Sequence, residues 1–463
     1  MKKSDELQIR ENITIKEAMR IIDRTGLGTA FIIDKNGVLH GTVTDGDIRD
    51  AIMNGVSVEQ EVQEIMYKDP ITLKEDFTND QIIHLFHSRG FSPFYSIKIP
   101  VINEDKKIKD IVIYSLADNK VKWLNKSDGK VKKDVNKILV VGGAGYLGSV
   151  LCRKLLAKGF RVRVLDLLLF GEEPIAELKN NPDFELIHGD MRNISTLTKS
   201  LKNMDAVIHL AAIVGDPASK KQPVDTIEIN YLATMTLAQA CKYNQINRFI
   251  FASTCSVYGV GDKKLDENSK LNPVSLYARA KIESERGIIS LADENFSPTI
   301  MRMGTLYGLS PRMRFDLVVN IFSMMASTQG KITVFGGDQW RPLLNVSDAA
   351  DAYIKCLEAP IEKVGGEIFN VGSEEQNYQI KDLAEIVKKT LPDIEIEMKK
   401  REVVDGELDA RDYMVSFEKI ESIYGFKPVK TVDESIMEIH NAIETGMIKN
   451  VNDPKYYNVD KSV

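Results

Sequence analysis

The 463 residues carry 61 lysines and arginines against 67 acids, a formal net charge of −6. That length calls for two or three domains, and that charge gives no reason to expect a nucleic-acid or membrane-surface partner. The cysteines, Cys152, Cys241, Cys255 and Cys356, lack metal-ligand spacing, no metal site is expected, and no run reaches the roughly 18 apolar residues of a membrane span. Met1-Lys2-Lys3-Ser4 leads into a polar segment rather than an apolar signal core, so the expected location is the cytoplasm.

Residues 1–118 hold an imperfect repeat, in which Ile13-Thr14-Ile15-Lys16-Glu17 is echoed by Ile71-Thr72-Leu73-Lys74-Glu75. Each copy continues into helical spacing, over 18–24 and 79–88, and then into two strands around a polar turn, 34–37 and 103–107. Two small α/β units packed together make one domain. The first copy contains Gly41-Thr42-Val43-Thr44-Asp45-Gly46-Asp47-Ile48, where Thr44 and Asp47 are residues that commonly cap a helix. This segment and the tandem arrangement resemble a pair of cystathionine-β-synthase-type (CBS) modules. The resemblance implies that Thr44 and Asp47 contact the ribose and phosphate of an adenosine nucleotide, AMP, ADP or ATP. The second copy departs from the pattern, with Ile113 and Leu116 where the polar pair should be, so one nucleotide site is expected rather than two. His84 and His87 fall on one helical face without further ligands and read as packing or surface residues.

From 119 to 136 the apolar period fades and Lys120, Lys122, Lys126, Lys130, Lys132 and Lys133 accumulate, which reads as a linker. The next domain, 137–448, opens on Ile138-Leu139-Val140-Val141, runs into Gly142-Gly143-Ala144-Gly145-Tyr146-Leu147-Gly148, and continues with Leu147, Leu151 and Leu155 at helical spacing. A second strand, 161–165, ends on Asp166. Strand, glycine turn, helix, strand and terminal acid make the first βαβ unit of a dinucleotide-binding fold. Asp166 is suited to the adenosine ribose hydroxyls and would repel a 2′-phosphate, so NAD is expected rather than NADP.

Strands then alternate with helices: 184–188 ends at Gly189-Asp190, 206–210 at Ala211-Ala212, and 248–252 at Ser253-Thr254. This is the rhythm of a doubly wound parallel sheet, an α/β fold of Rossmann type, whose ligands bind beyond the strands' carboxyl ends. Residues from about Tyr307, including a late strand 368–371, are expected to form a smaller C-terminal α/β lobe over the cleft, and 449–463 a polar, disordered tail. Tyr277 and Lys281 stand one helical turn apart in a segment of helix-forming composition. A phenol beside an ammonium is a candidate base for a substrate hydroxyl while hydride leaves the same carbon for NAD.

Taken together, the Gly-x-x-Gly-x-x-Gly turn, Asp166, Gly189-Asp190, Ser253-Thr254-Cys255-Ser256-Val257-Tyr258-Gly259 and the Tyr277/Lys281 pair resemble the extended short-chain dehydrogenase/reductases. Within these they resemble the nucleotide-sugar epimerase and dehydratase branch. The resemblance implies NAD held by Gly142, Gly145, Tyr146, Leu147, Gly148, Asp166, Asp190, Met191, Leu210, Ala211, Ala212, Ser253, Tyr277 and Lys281, with Asp190 near the adenine. It implies Thr254 on the sugar C4 oxygen, Tyr277 as base and Lys281 as its partner. Arg341, in Trp340-Arg341-Pro342, matches a diphosphate-binding arginine, Asn320 lies where relatives contact nucleotide or sugar, and Arg302 matches a family strand. Arg411 reads equally as a second diphosphate ligand or a structural ion-pair partner.

Family dehydratases carry an Asp-Glu pair directly after the hydroxyl residue, and here those positions are Cys255 and Ser256. That departure disfavours 4,6-dehydration. The reading is an NAD-dependent epimerase acting at C4 of a nucleotide-diphosphate sugar through a transient 4-keto intermediate, with a CBS pair that senses adenosine nucleotides. A nucleotide-sugar 4-dehydrogenase or 4-ketoreductase with exchangeable NAD(H), and a non-catalytic nucleotide-sensing protein, are the alternatives. Both resemblances imply a homodimer or higher homo-oligomer.

Overall fold

A computed structural model describes residues 3–74, 96–115, 120–124, 135–293, 295–400 and 411–458. The expected helix over 79–88 with His84 and His87, Leu116, Lys126, Lys130, Lys132, Lys133 and the residues beyond 458 lie outside the described residues. The chain divides into two compact units, Met1–Asp134 and Val135–Val463.

In the first unit the helix Ile15–Thr25 starts from a capping box, Thr14 with Glu17, and ends at Gly26, whose φ is 64°. Its buried residues, Ile15, Ala18 and Ile22, share one face and pack on the strands Thr29–Ile33 and Leu39–Thr44. These strands pair antiparallel, and the carboxylate of Asp34 shapes the turn between them by accepting from the amides of Asn36 and Val38. The second copy repeats the hairpin with Ser96–Ile102 and Ile108–Ser115. The two turns meet where the Leu39 amide donates to the Lys106 carbonyl at 3.0 Å. The expected linker begins later than its lysines suggested: Lys120–Trp123 is a strand antiparallel to Ile108–Ser115. Its alternation of lysine with Val121 and Trp123 is the strand period, masked by the charge.

The second unit is built on a seven-stranded sheet. In chain order the strands are β1 (Lys137–Val141), β2 (Arg161–Asp166), β3 (Phe184–His188), β4 (Ala206–His209), β5 (Arg248–Thr254), β6 (Ser297–Met303) and β7 (Ile368–Val371). They lie in the order β3-β2-β1-β4-β5-β6-β7, every neighbouring pair parallel. Helices cover both faces, which is why strands such as Ile138-Leu139-Val140-Val141 are apolar at every position and at most 1% exposed. The strand order reverses between β1 and β4, and the crevice for a ligand opens there. β7 was expected in the C-terminal lobe; it closes the main sheet beside β6 instead. A pairing of residues 68 apart, Ile300 with Ile368, leaves no local sign in the sequence.

The lobe contains the three-stranded sheet Thr305–Tyr307, Trp340–Asn345 and Asn377–Gln379, with the helices Val318–Gln329, Ile380–Thr390 and Val432–Glu444 around a core of their own. The expected polar tail is in part packed. Rings of Tyr456 and Tyr457 lie 5.6 and 6.4 Å from that of Phe315, and the Phe315 amide donates to the Tyr456 carbonyl. Among the described residues no helix is long and apolar enough to cross a membrane.

Candidate functional site

The first part of the site is the turn between β1 and the helix Tyr146–Ala157. Gly142 has a φ of 89°, and a Cβ there would stand 2.6 Å from the Ala211 nitrogen. A Cβ on Gly148 would stand 2.2 Å from the Gly142 carbonyl oxygen. Strand, turn and helix therefore meet backbone to backbone. Gly145 caps the helix without a side chain, which leaves first-turn amides as donors for an anion. Asp166 accepts from the amides of Ala144 (2.9 Å) and Leu168 (2.8 Å), which fixes a carboxylate beside the turn. Burial raises its pKa, and the two amides oppose the rise. A cradle with no room for a Cβ, free helix amides and this carboxylate fit a dinucleotide with an unsubstituted ribose. Gly148→Ala is expected to cost about 1–3 kcal/mol through overpacking and to strip the protein of NAD. Thermal melting and nucleotide content after gel filtration check this; a variant that melts and binds like the parent contradicts it.

Other expected cofactor residues are placed less uniformly. The Tyr146 hydroxyl donates to the Gly308 carbonyl (2.7 Å) and accepts from Asn320 Nδ2 (3.1 Å), so its side chain is structural and only its backbone faces the turn's end. Leu147 and Met191 are core side chains. The amides of Leu210 and Ala211 both donate to the Val141 carbonyl, which brings Ala211 and the half-buried Ala212 against the glycine turn. Asp190 is held by Arg192, whose Nη2 and Nε lie 2.7 and 2.9 Å from Asp190 Oδ2, and this keeps its carboxyl below the usual range.

The second part is the helix Leu276–Ser290, started by Ser275, whose hydroxyl accepts from the Ala278 amide at 3.2 Å. Its first turns bury Tyr277 and Lys281 on one face, 7% and 2% exposed. The Tyr277 phenol lies beside Thr254, whose Oγ1 accepts from the Ser256 amide (3.1 Å). Burial pushes the phenol up; Arg314 and Thr254 favour its ionisation, and Asp216 opposes it. The Lys281 ammonium donates to the Ala252 carbonyl (2.7 Å) and stands 4.5 Å from the centre of the Phe251 ring. Burial pushes it down to about 7, with Glu285 opposing. The folded protein thus holds this proton less tightly than the unfolded chain, so the cost of the buried charge is full below pH 7 and fades towards the free lysine value of about 10.4. Lys281→Met is expected to raise the melting temperature most at pH 6 and least near pH 10, by calorimetry. A gain that grew with pH would contradict the burial of a charged Lys281.

One turn further on the same face, Glu285 forms a buried ion pair with Arg302 at 2.7 Å, both side chains 3% exposed. The Ser253 hydroxyl also donates to Glu285, and Arg302 Nη1 donates to the Tyr258 hydroxyl (3.0 Å), which donates to Asn370 Oδ1 (2.8 Å). Ser253 therefore serves this network with its side chain rather than a cofactor. Glu285 was missed in the sequence, although the spacing of Tyr277, Lys281 and Glu285 carried the signal.

Of the residues expected to meet the substrate, the structure brings Arg341 and Arg411 together. Arg341 is 6% exposed, and its Nη1 donates to the carbonyls of Arg411 (2.6 Å) and Trp340 (2.8 Å). Arg411 Nε lies 3.4 Å from Asp216 Oδ2. The buried Tyr413 lies within reach of both arginine charges. Asn320 does not join this cluster. It is 0% exposed, its Oδ1 accepts from the Gly308 amide (2.8 Å), and its Nδ2 donates to Tyr146 and to the Arg314 carbonyl (2.9 Å). Its polar atoms are committed to the lobe's own loop, which corrects the expectation of a substrate contact. Cys255 is 1% exposed with Sγ against the Arg302 carbonyl, and burial pushes its thiol up. Among the described residues no group of acids, histidines and cysteines is placed to hold a metal.

The sequence model of the NAD dependent epimerase/dehydratase family matches residues 138–372. The chain belongs to that family. Its cofactor is NAD, and the expected Rossmann-type fold is the one observed. Members of the epimerase/dehydratase family similar to this chain include the UDP-glucose 4-epimerase of Lactobacillus helveticus, 29% identical over 65% of this chain and 94% of that one. The UDP-N-acetyl-alpha-D-glucosaminuronate decarboxylase of Bacillus cytotoxicus is 31% identical over 52% of this chain and 76% of its own length. Among solved structures, a UDP-glucuronic acid 4-epimerase from Bacillus cereus in complex with UDP-glucuronic acid and NAD aligns with a TM-score of 0.59 at 27% identity, covering 67% of this chain and 99% of that one. This member of the family also carries two CBS domains, matched over 2–54 and 62–114.

In that CBS unit Thr44 and Asp47 form a reciprocal cap on the helix Asp45–Met53. Thr44 donates its amide and its hydroxyl to Asp47 Oδ2, both at 2.7 Å, and its Oγ1 accepts from the Asp47 amide at 3.2 Å. Capping is what their sequence types predicted, and it accounts for one carboxylate oxygen of Asp47.

Proposed function

We propose that the protein is an NAD-dependent epimerase acting at C4 of a nucleotide-diphosphate sugar, a uridine-diphosphate sugar by analogy with its relatives. The observation that carries this reading is the buried Tyr277 phenol beside Thr254, next to a buried, un-ionised Cys255 where a dehydratase needs its acid. NAD, when bound, supplies hydride acceptance and return. Thr254 holds the C4 oxygen, Tyr277 takes the proton of the C4 hydroxyl and gives it back to the 4-keto sugar, and Lys281 anchors the helix that presents Tyr277 through its bond to Ala252. Arg341 and Arg411 hold the diphosphate, whose charge matches two guanidiniums. With neither an acid nor a base at Cys255 and Ser256, elimination at C5 and C6 has no proton donor or acceptor there.

The test is incubation of the full-length protein with a panel of nucleotide sugars, with and without added NAD, read by mass spectrometry and proton NMR. Epimerisation gives a product of unchanged mass and altered sugar couplings. Loss of two hydrogens with accumulating NADH would make the protein a dehydrogenase instead.

The CBS pair takes one adenosine nucleotide in this reading, supported by the family match and by half-buried Thr44 and Asp47 at a helix start. Titration with AMP, ADP or ATP is expected to raise the melting temperature and shift turnover. A flat response in both to all three would reduce the module to a structural part.

A further inference from the structure

Asp216 has no role in the account so far. It opens a short helix, Asp216–Lys221, straight after Gly215, whose φ of 96° turns the chain back towards the site. Among the described residues its Oδ2 forms one long pair, with Arg411 at 3.4 Å. Its Oδ1 is shut off from water and has no hydrogen-bond partner among the described residues. A buried carboxylate oxygen left without a donor is costly, and such a position persists where a ligand completes it. The charge of Asp216 is felt at the Tyr277 phenol and is paired with Arg411, so the carboxylate lies near both.

Resting on the nucleotide-sugar reading of this cleft, we propose that Asp216 is a substrate-binding, specificity-determining residue whose Oδ1 accepts a hydrogen bond from a hydroxyl of a neutral hexose and whose charge rejects a hexuronic acid. At C6 a neutral hexose brings a hydroxyl donor, whereas an ionised uronate brings there only acceptors and a further negative charge. Of the cations nearby, Arg314 is bound by Nε and Nη2 to Asp316, at 3.1 and 2.6 Å, and Arg411, 3.4 Å from Asp216, shares with Arg341 the charge of the diphosphate when substrate is bound, which leaves the Asp216 charge facing the sugar. The question is a live one for this chain, since proteins similar to it are named for both glucose and glucuronic acid substrates.

Calorimetric titration of the full-length, NAD-loaded protein with UDP-glucose and with UDP-glucuronic acid tests the assignment. The parent is expected to bind UDP-glucose more tightly. Asp216→Asn, which keeps the shape and removes the charge, shifts the affinity ratio towards UDP-glucuronic acid by roughly 10–100-fold. Asp216→Ser shifts it the same way and also weakens UDP-glucose. A parent that prefers UDP-glucuronic acid, binding of neither sugar, or an unmoved ratio while both affinities fall together would overturn the proposal, the last by making Asp216 merely structural. Turnover is scored separately in the same samples. The expected ratio without any change of sugar configuration leaves Asp216 as assigned and fails the epimerase reading.

Discussion

Tyr277→Phe is expected to lower kcat by about 10²–10⁴-fold, the usual worth of a positioned general acid–base, while leaving the melting temperature and NAD content close to those of the parent. The substitution removes one oxygen from a ring that is 7% exposed and packed at the start of its helix, so the helix and its core contacts survive. What disappears is the hydroxyl beside Thr254. The substitution leaves Arg341 and Arg411, the proposed diphosphate ligands, untouched, so the loss is expected on kcat rather than on KM. Activity above about a tenth of the parent's would remove Tyr277 from the proposed role.

The largest effect on stability is expected from Glu285→Gln. Glu285 and Arg302 are the charged pair at the centre of a network that also ties Ser253, Tyr258 and Asn370. Removing one charge strands the other in a site that water does not reach, at a cost of about 3–5 kcal/mol. Chemical denaturation of the full-length protein measures it directly. The double variant Glu285→Leu with Arg302→Met is expected to recover much of the loss, because an uncharged pair leaves nothing stranded. A single variant as stable as the parent would show that the pair is solvated. The network holds Ser253, which precedes Thr254, so the single variant is also expected to lose activity by displacing the end of β5.

These two predictions mark what was readable and what was not. The glycine turn, Asp166 and the Tyr277/Lys281 pair are local patterns, set by a tight turn, a strand end and a helical repeat, and the structure has the turn closed at the end of β1, Asp166 bonded to it, and Lys281 bonded to the end of β5. Arg302 was legible as a residue but not as a partner of Glu285, 17 positions away, because ion pairing follows the register of β6 against the helix. Asp216 gave no signal, since a loop aspartate before proline reads as a turn. Asn320 read as a ligand because its position matched, yet the loop it clamps uses both ends of its amide. Lys120–Trp123 was hidden by its charge, and β7 by the distance of its partner.

The central claim is that oxidation and return both happen at C4 of one sugar without release from the cleft. It is tested most directly with a nucleotide sugar carrying deuterium at C4, turned over in ordinary water by the full-length protein and followed by mass spectrometry and NMR. The account predicts an epimerised product that keeps the deuterium at C4. Product that has lost the label to free NADH, or unlabelled sugar that gains deuterium at C5 when the reaction is run in heavy water, would contradict it.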